Sequence, residues 1–495
     1  MNSRRVVLAL VGLTLVASFA VRLASLGYPG EFAFDEVYYA KDARAILKGH
    51  LGPGDAELAW EPGIEISWPH PEMGKLAIAA GQAILGFDPW GWRIASAIAG
   101  TILLALIYPL ARRLRLPRAW ALAALLLAAS DMLLIAQSRI ATLDIFVGVW
   151  TVLCIYLALV YVQSGRRWWW LVACGAAGGM ALGTKWSGAL ALVAAIAILL
   201  VLHRREPGRP LSDRLLDAFA ALPLVILCLV VLPAAIYFAS YTLYFTHGHT
   251  LPQWWELHKQ MWEFNMNLQA EHSYASRAHT WIFDVRPVWY VYEGEPLVRG
   301  IIAMGNPLLW WASVPATIAL LGVAIARRDR RLLLPPLLVV LLYLPWLATT
   351  RTSFLYYMTP VVPFMAIALA SALALLAGSE HIRCRWAALS FAAGGLAMYL
   401  LWHPLGSAAQ AVFWSGPLHV SRGAAVAATG LGVALVLAAA VATLVLPRLR
   451  GVWRYLSWAY VGVVGGTAAV FLPIVLARPI TLEHFYRLMW FSSWI

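Results

Sequence analysis

The stretch RIASAIAGTILLALIYPLARRLRLPRAWALAALLLAASDMLLIAQ, residues 93–137, is two long apolar runs joined by a basic hinge. At about 1.5 Å per helical residue, each run has roughly the length needed to cross a hydrocarbon layer about 30 Å thick. The hinge, Arg112 to Arg118, carries four Arg in seven residues. Charges of that density stay out of lipid and mark a loop on one membrane side. Read outward from here, the same alternation recurs: the chain is 62% hydrophobic and 12% charged, with a mean hydropathy of +0.73. Apolar segments fall near 6–26, 93–111, 119–137, 142–162, 168–184, 187–202, 218–240, 301–325, 332–349, 354–377, 386–403, 424–446 and 456–477. A spanning segment must satisfy its own backbone hydrogen bonds, so the expected fold is an all-α polytopic bundle. The pattern predicts about thirteen spans with the N-terminus inside and the C-terminus outside.

The formal charge of +13 does not point to nucleic acid. Of the 37 Lys and Arg, 21 sit in seven short clusters at predicted span ends: Arg4–Arg5, Arg112–Arg118, Arg166–Arg167, Arg204–Arg214, Arg327–Arg331, Arg383–Arg385 and Arg448–Arg454. That is the positive-inside distribution, a report on topology. Cys154, Cys174, Cys228 and Cys384 lie in or beside spans, so no structural disulfide is expected. The first apolar segment is read as a retained span in preference to a cleaved signal peptide. The whole of 1–495 reads as one membrane-embedded domain with two long external loops. The first, 27–92, holds ten of the 24 acids and four Lys or Arg. Within it 75–86 is apolar but too short to span, which predicts an interfacial or re-entrant helix. The second, 241–300, is rich in Trp, Tyr, His and Asn.

Candidate chemistry begins with EFAFDEVYYAKDAR, residues 31–44, where Asp35 and Glu36 stand side by side just after the first apolar segment. Acids at a helix start favour the N-terminal dipole and stay solvated. An ion site is a second reading. The third is a carboxylate base, sharpened by partial desolvation at the lipid–water boundary. In WPHPEMGK, residues 68–75, the prolines set an extended lead into a helix from Lys75, directing His70 and Lys75 toward the membrane face. Arg93, Arg139 with Asp144, Lys185 and Arg351 lie at outer span ends. Snorkelling explains each singly, and a mutual ion pair explains Arg139 with Asp144. Together with Arg286 they place cations on the external side, against the positive-inside tendency, and such a cluster suits a lipid-linked phosphate. No Walker loop, dinucleotide fingerprint, Cys/His metal spacing or serine elbow is present in the sequence.

The joint order of these motifs resembles the protein O-mannosyltransferases, polytopic enzymes of the GT-C glycosyltransferase fold. DEVYYAKDA resembles the family's early acidic motif, HPEMGK its HPPLGK signature, and WRIASAIAG and SRIATLDIF its Arg-bearing span ends. GTKWSG, SRAHTWIFDVRPVWYVYEG with GNPLLWW, RTSFLYYMTPVVPF and RLMWFSSWI are similar to later signatures. Glu72 stands where the family usually has Pro, HSYAS replaces a longer HPYES-like stretch, and the MIR insertion of eukaryotic members is missing. The pattern is that of a bacterial member, and the family's usual eleven spans bracket the expected count at 11–13.

The resemblance implies transfer of mannose, with inversion, from a polyprenyl-phosphate-mannose donor to Ser or Thr hydroxyls. Acceptors would be secreted polypeptides met during Sec export, at the outer face of a bacterial cytoplasmic membrane. Asp35 is the expected base, Glu36 an organiser of an Arg or of the acceptor, and Arg93, Arg139 and Lys185 the phosphate ligands. His70, Lys75, Asp144, Arg286 and Arg351 support the site. No metal or other cofactor is expected. The rival readings are a related GT-C transferase acting on a lipid or envelope glycan, and a lipid-linked sugar transporter.

Overall fold

The computed structural model describes residues 3–48, 69–202, 220–246, 248–269, 271–294, 296–378 and 450–495. Its main helices are α1 (Ser3–Leu23), α2 (Glu36–Lys48), α3 (Met73–Leu85), α4 (Pro89–Arg113), α5 (Arg118–Ala129), α6 (Met132–Gln137), α7 (Asp144–Gln163) and α8 (Trp168–Thr184). They continue with α9 (Ala189–Val201), α10 (Ala220–Ser240), α11 (Leu251–Asn267), α12 (Pro307–Arg327), α13 (Arg330–Leu347), α14 (Val362–Leu376), α15 (Arg450–Val475) and α16 (Leu482–Leu488). Among the described residues seven helices (α1, α4, α7, α10, α12, α13 and α15) are long and apolar enough to cross a membrane. The segments expected at 386–403 and 424–446 lie outside the described residues. Exposed Leu8, Leu13 and Val16 on α1 and Leu227, Val230 and Val231 on α10 form apolar outer faces suited to lipid.

The chain divides into two compact units. The first comprises Met1–Ser25, Ile107–Ala136 and Glu271–Ile495. At its centre is α14, buried along nearly its whole length, with α5, α12, α13 and α15 packed on it. This unit corrects the expected element boundaries in three places, the first being the span expected from 354, whose helix starts only at Val362 after a short 3₁₀ turn at Leu355–Met358. The run 119–137 is broken at Ser130–Asp131, where the buried Asp131 carboxylate accepts from Leu134 N (3.0 Å), Asn306 N (3.1 Å) and Trp310 Nε1 (2.7 Å). The span expected from 301 starts at Pro307, because Asn306 caps the helix and Pro307 supplies its first turn. Residues 299–303 form a strand instead. Val288–Glu293 (β1) and Arg299–Ala303 (β2) pair antiparallel, with a bulge between Trp289 and Val291. The bundle is therefore helical with one small ribbon, favoured by its runs of β-branched and aromatic side chains.

The second unit comprises Leu26–Leu106 and Gln137–Ala270. Helix α8 sits between α7 and α10 and approaches the latter through glycine: a Cβ on Gly175 would lie 1.7 Å from the Cys228 carbonyl oxygen. Cys154 and Cys174 have sulfurs 3.6 Å apart, a thiol contact and not a disulfide. The first external loop folds as two helices: α2 packs on α3, tied by Gln82 Nε2 donating to the Ala40 carbonyl at 2.8 Å. Within the second loop, for which the sequence predicts no helix, α11 is a 17-residue helix. Thr250 and Gln253 form its capping box, and Leu257 and Met261 are buried with Tyr237, Tyr241 and Tyr244.

Candidate active site

All of the geometry that follows belongs to the second unit unless stated. Helix α2 starts one residue after Asp35, whose carbonyl accepts from Tyr38 N (3.0 Å) and Tyr39 N (3.1 Å). The next residue, Glu36, therefore points inward from the first turn and is fully buried. Its carboxylate accepts five hydrogen bonds. Oε1 takes Arg93 Nε (2.7 Å) and Ala141 N (2.9 Å); Oε2 takes Arg93 Nη2 (2.7 Å), Ala33 N (2.8 Å) and Trp92 Nε1 (3.2 Å). A two-pronged Arg–carboxylate pair of this kind is strong and geometrically specific. It joins the start of α2, the start of α4 and the segment before α7 at one point.

Arg93 is equally saturated. Besides its two bonds to Glu36, Nη1 donates to the Leu26 and Pro29 carbonyls at 2.9 Å each and Nη2 to the Glu31 carbonyl at 3.0 Å. A guanidinium has five N–H donors, and all five are used. In this arrangement Arg93, expected at the donor phosphate, has all five donors engaged within the protein and holds Glu36 and the loop from Leu26 to Glu31.

Lys185, in the extended residue after α8, meets Asp144 at the start of α7, with Nζ 3.1 and 3.2 Å from the two carboxylate oxygens. Both groups act electrostatically on Asp35, Lys185 favouring its ionised form and Asp144 opposing it. Asp35 keeps part of its surface open. Even so, desolvation by surrounding protein pushes its carboxyl up to about 7. The result is a carboxylate that changes charge near neutrality, beside a fixed ammonium. Arg139 is buried two residues before Ala141, whose N–H binds Glu36, in the segment that precedes α7.

Lys75 departs from its expected place at the membrane face. It is buried, with Nζ 2.8 Å from Glu72 Oε1 and 3.4 Å from Asp42 Oδ2. Burial alone lowers its affinity for a proton, and the Glu72 and Asp42 carboxylates more than offset this, leaving the ammonium above its ordinary value. Full burial of a lone ammonium is costly, and two carboxylates resolve it. Glu72, the residue that breaks the HPPLGK resemblance, is thus the nearer partner. Its three-residue spacing from Lys75 was the available signal, as was Asp42 one turn further along α2. Half-buried His70 has its ring 6.4 Å from that of Tyr39.

Sequence reasoning also missed a polar chain through the aromatic cluster. Trp186 Nε1 donates to Tyr237 Oη (2.9 Å), Tyr237 Oη lies 2.7 Å from His258 Nε2, and His258 Nδ1 lies 2.8 Å from the Trp254 carbonyl. Since a carbonyl can only accept, Nδ1 carries the proton and Nε2 accepts from the tyrosine. Burial lowers the His258 proton affinity, in keeping with this neutral form. Arg286 and Arg351 belong to the first unit. There Arg286 donates to the Ser273 and Ser493 carbonyls at 3.0 and 2.8 Å, and Arg351 reaches Tyr357 Oη at 3.4 Å.

Known proteins share this sequence and architecture. The family described as dolichyl-phosphate-mannose-protein mannosyltransferase matches residues 68–249, and the C-terminal four-transmembrane region of protein O-mannosyltransferase matches 250–411. A polyprenol-phosphate-mannose–protein mannosyltransferase from Corynebacterium glutamicum is 27% identical over 409 residues, covering 71% of this chain and 78% of the relative. One from Mycolicibacterium smegmatis is 26% identical over 430 residues, covering 73% and 81%. In fold, the chain is similar to a Saccharomyces cerevisiae protein O-mannosyltransferase complex solved with its sugar donor. The TM-score is 0.71 at 14% identity, over 100% of this chain and 93% of that one. With contiguous family matches across 68–411, well over half of the 495 residues, the chain belongs to the protein O-mannosyltransferase family of GT-C membrane glycosyltransferases.

Proposed function

We propose that this enzyme transfers mannose from polyprenyl-phosphate-mannose to Ser or Thr hydroxyls of secreted polypeptides, with inversion, at the outer face of the cytoplasmic membrane. The observation that carries the reading is Asp35: partly open, with its carboxyl pushed up to about 7, beside the Lys185–Asp144 pair. A hydroxyl is a weak nucleophile at neutral pH and gains from a base whose proton affinity is tuned near the working pH. In the proposed step, Asp35 takes the proton as the hydroxyl oxygen attacks the anomeric carbon from the face opposite the phosphate. The carbon–oxygen bond to phosphate breaks, and the polyprenyl phosphate leaves with the electron pair. Because phosphate is already a stable anion, the step needs no general acid, unlike glycoside hydrolysis with its two flanking carboxyls. Lys185 and Arg139 are the cations assigned to the leaving phosphate, where fixed positive charge stabilises the developing anion. Glu36 and Arg93 act as a clamp that fixes the Asp35 backbone.

The test combines purified protein, radiolabelled polyprenyl-phosphate-mannose and a Thr/Pro-rich peptide, with a lipid or glycan acceptor in a parallel arm. Label in the peptide that survives EDTA supports the reading and its metal independence. Label confined to the lipid or glycan arm, or strict dependence on added Mg²⁺ or Mn²⁺, contradicts the corresponding part.

A further inference from the structure

We propose that a cavity within the first unit, at the basic end of α5, α13 and α15, binds the phosphate headgroup of an anionic membrane phospholipid. The cavity has a volume of about 490 Å³. It is lined by the residues leading into α5, by the first turns of α13, by Arg454 and Trp458 of α15, and by the last turn of α14. Three arginines reach it from three different elements: Arg115 from the loop between α4 and α5, Arg331 from α13 and Arg454 from α15. Asp329 is the one acidic residue among the lining residues, and its carboxylate already caps α13 by accepting from Arg331 N (2.9 Å) and Leu332 N (3.1 Å).

The charge arrangement is unfavourable as it stands. Arginine in the first turn of a helix adds to the positive end of the helix dipole. Arg331 occupies such a position, and Arg115 is near enough to repel it. Arg115 itself sits in a left-handed turn, φ +68°, which points its side chain into this loop geometry at some backbone cost. Helix N-termini and convergent arginines ask for the same ligand, an anion with several acceptor oxygens. Against the one C-terminal end of α14, the starts of α5 and α13 face the cavity.

The walls select a lipid over a free ion. Leucine and proline side chains of the α4–α5 loop and of α13 line the space, and Trp120 and Trp458 stack across it with ring centroids 5.2 Å apart and planes 26° from parallel. An amphipathic tryptophan pair beside an apolar wall suits the boundary between headgroup and acyl chain. Basic pockets between membrane helices on the positive side are known to take anionic headgroups. The positive-inside pattern assigns this end to the cytoplasmic leaflet.

Native mass spectrometry of the full chain, released from nanodiscs of phosphatidylglycerol or of phosphatidylcholine, tests the proposal. The wild type should retain phosphatidylglycerol preferentially. Arg115→Gln, on the exposed rim, should lower that retention about fivefold, the effect expected per basic residue near an anionic headgroup. Ala377→Trp, which fills the cavity without touching charge, should abolish it, while peptide mannosylation in detergent stays at the wild-type level. Equal retention of both lipids, or unchanged retention in the monodisperse Arg115→Gln protein, overturns the proposal. So does inorganic phosphate at constant ionic strength protecting against heat as well as phosphatidylglycerol does, since that identifies a free-phosphate site.

Discussion

Replacing Glu36 by Gln separates a structural from a catalytic role for the acidic pair. The substitution keeps the shape but removes the charge that faces Arg93. It also turns one acceptor oxygen into an NH₂ group pointed at N–H donors. Both residues are fully buried, so solvent screens neither. Removing one partner of a buried ion pair costs about 3–5 kcal/mol, because the other charge stays behind uncompensated. Converting one of the remaining bonds from charged to neutral adds roughly another kcal/mol. A loss of about 4 kcal/mol lowers the folded-to-unfolded ratio roughly a thousandfold, close to the whole stability of many domains. The assay is heat- or denaturant-induced unfolding of detergent-purified protein followed by size exclusion. Glu36→Gln should melt far below wild type or fail to be recovered, and Glu36→Leu with Arg93→Met should recover part of the loss. A Glu36→Gln protein as stable as wild type but inactive in transfer would refute this reasoning and return Glu36 to the chemistry.

Four further outcomes follow from the same geometry. Because the base must be ionised, kcat/KM should rise with pH through an apparent pKa near 7, with about a tenth of Asp35 ionised one unit below it. Asp144→Asn removes a like charge and leaves Lys185 with fewer claims on it, so the rising limb should move to lower pH; a move upward contradicts the proposed coupling. Glu72→Gln strips Lys75 of its nearer carboxylate and should destabilise the protein by about 3 kcal/mol, read as a lowered melting temperature at unchanged pH profile. Gly175→Ala forces a methyl group onto the Cys228 carbonyl and should cost about 1–3 kcal/mol; wild-type thermal stability would show that α8 and α10 are less closely packed than described.

The spans were legible because hydropathy over some twenty residues is a strong, local signal. The breaks within them were not. Asp131 ends α5 because Asn306 and Trp310, about 175 residues away, receive it. The ribbon Val288–Ala303 hid in a loop whose aromatics equally suit a membrane interface, although the run of aromatic and β-branched residues in VWYVY was a strand signal. Helix α11 had a signature in Thr250 and Gln253, overshadowed by its tryptophans. At the site, the sequence marked which residues matter better than what each one does. The three backbone acceptors of Arg93, at Leu26, Pro29 and Glu31, were not legible because they depend on the path of the loop and not on residue type. Lys185 and Asp144 are 41 residues apart and meet only through the packing of α7 against α8.

The central claim is that Asp35 is the base. Single-turnover transfer by Asp35→Asn, with radiolabelled polyprenyl-phosphate-mannose prebound and a Thr-containing peptide added, measures it directly. The account predicts wild-type donor binding, a transfer rate lower by about 10²–10⁴-fold, and loss of the rising pH limb near 7. Transfer at the wild-type rate, or a rising limb that survives the substitution, would contradict it.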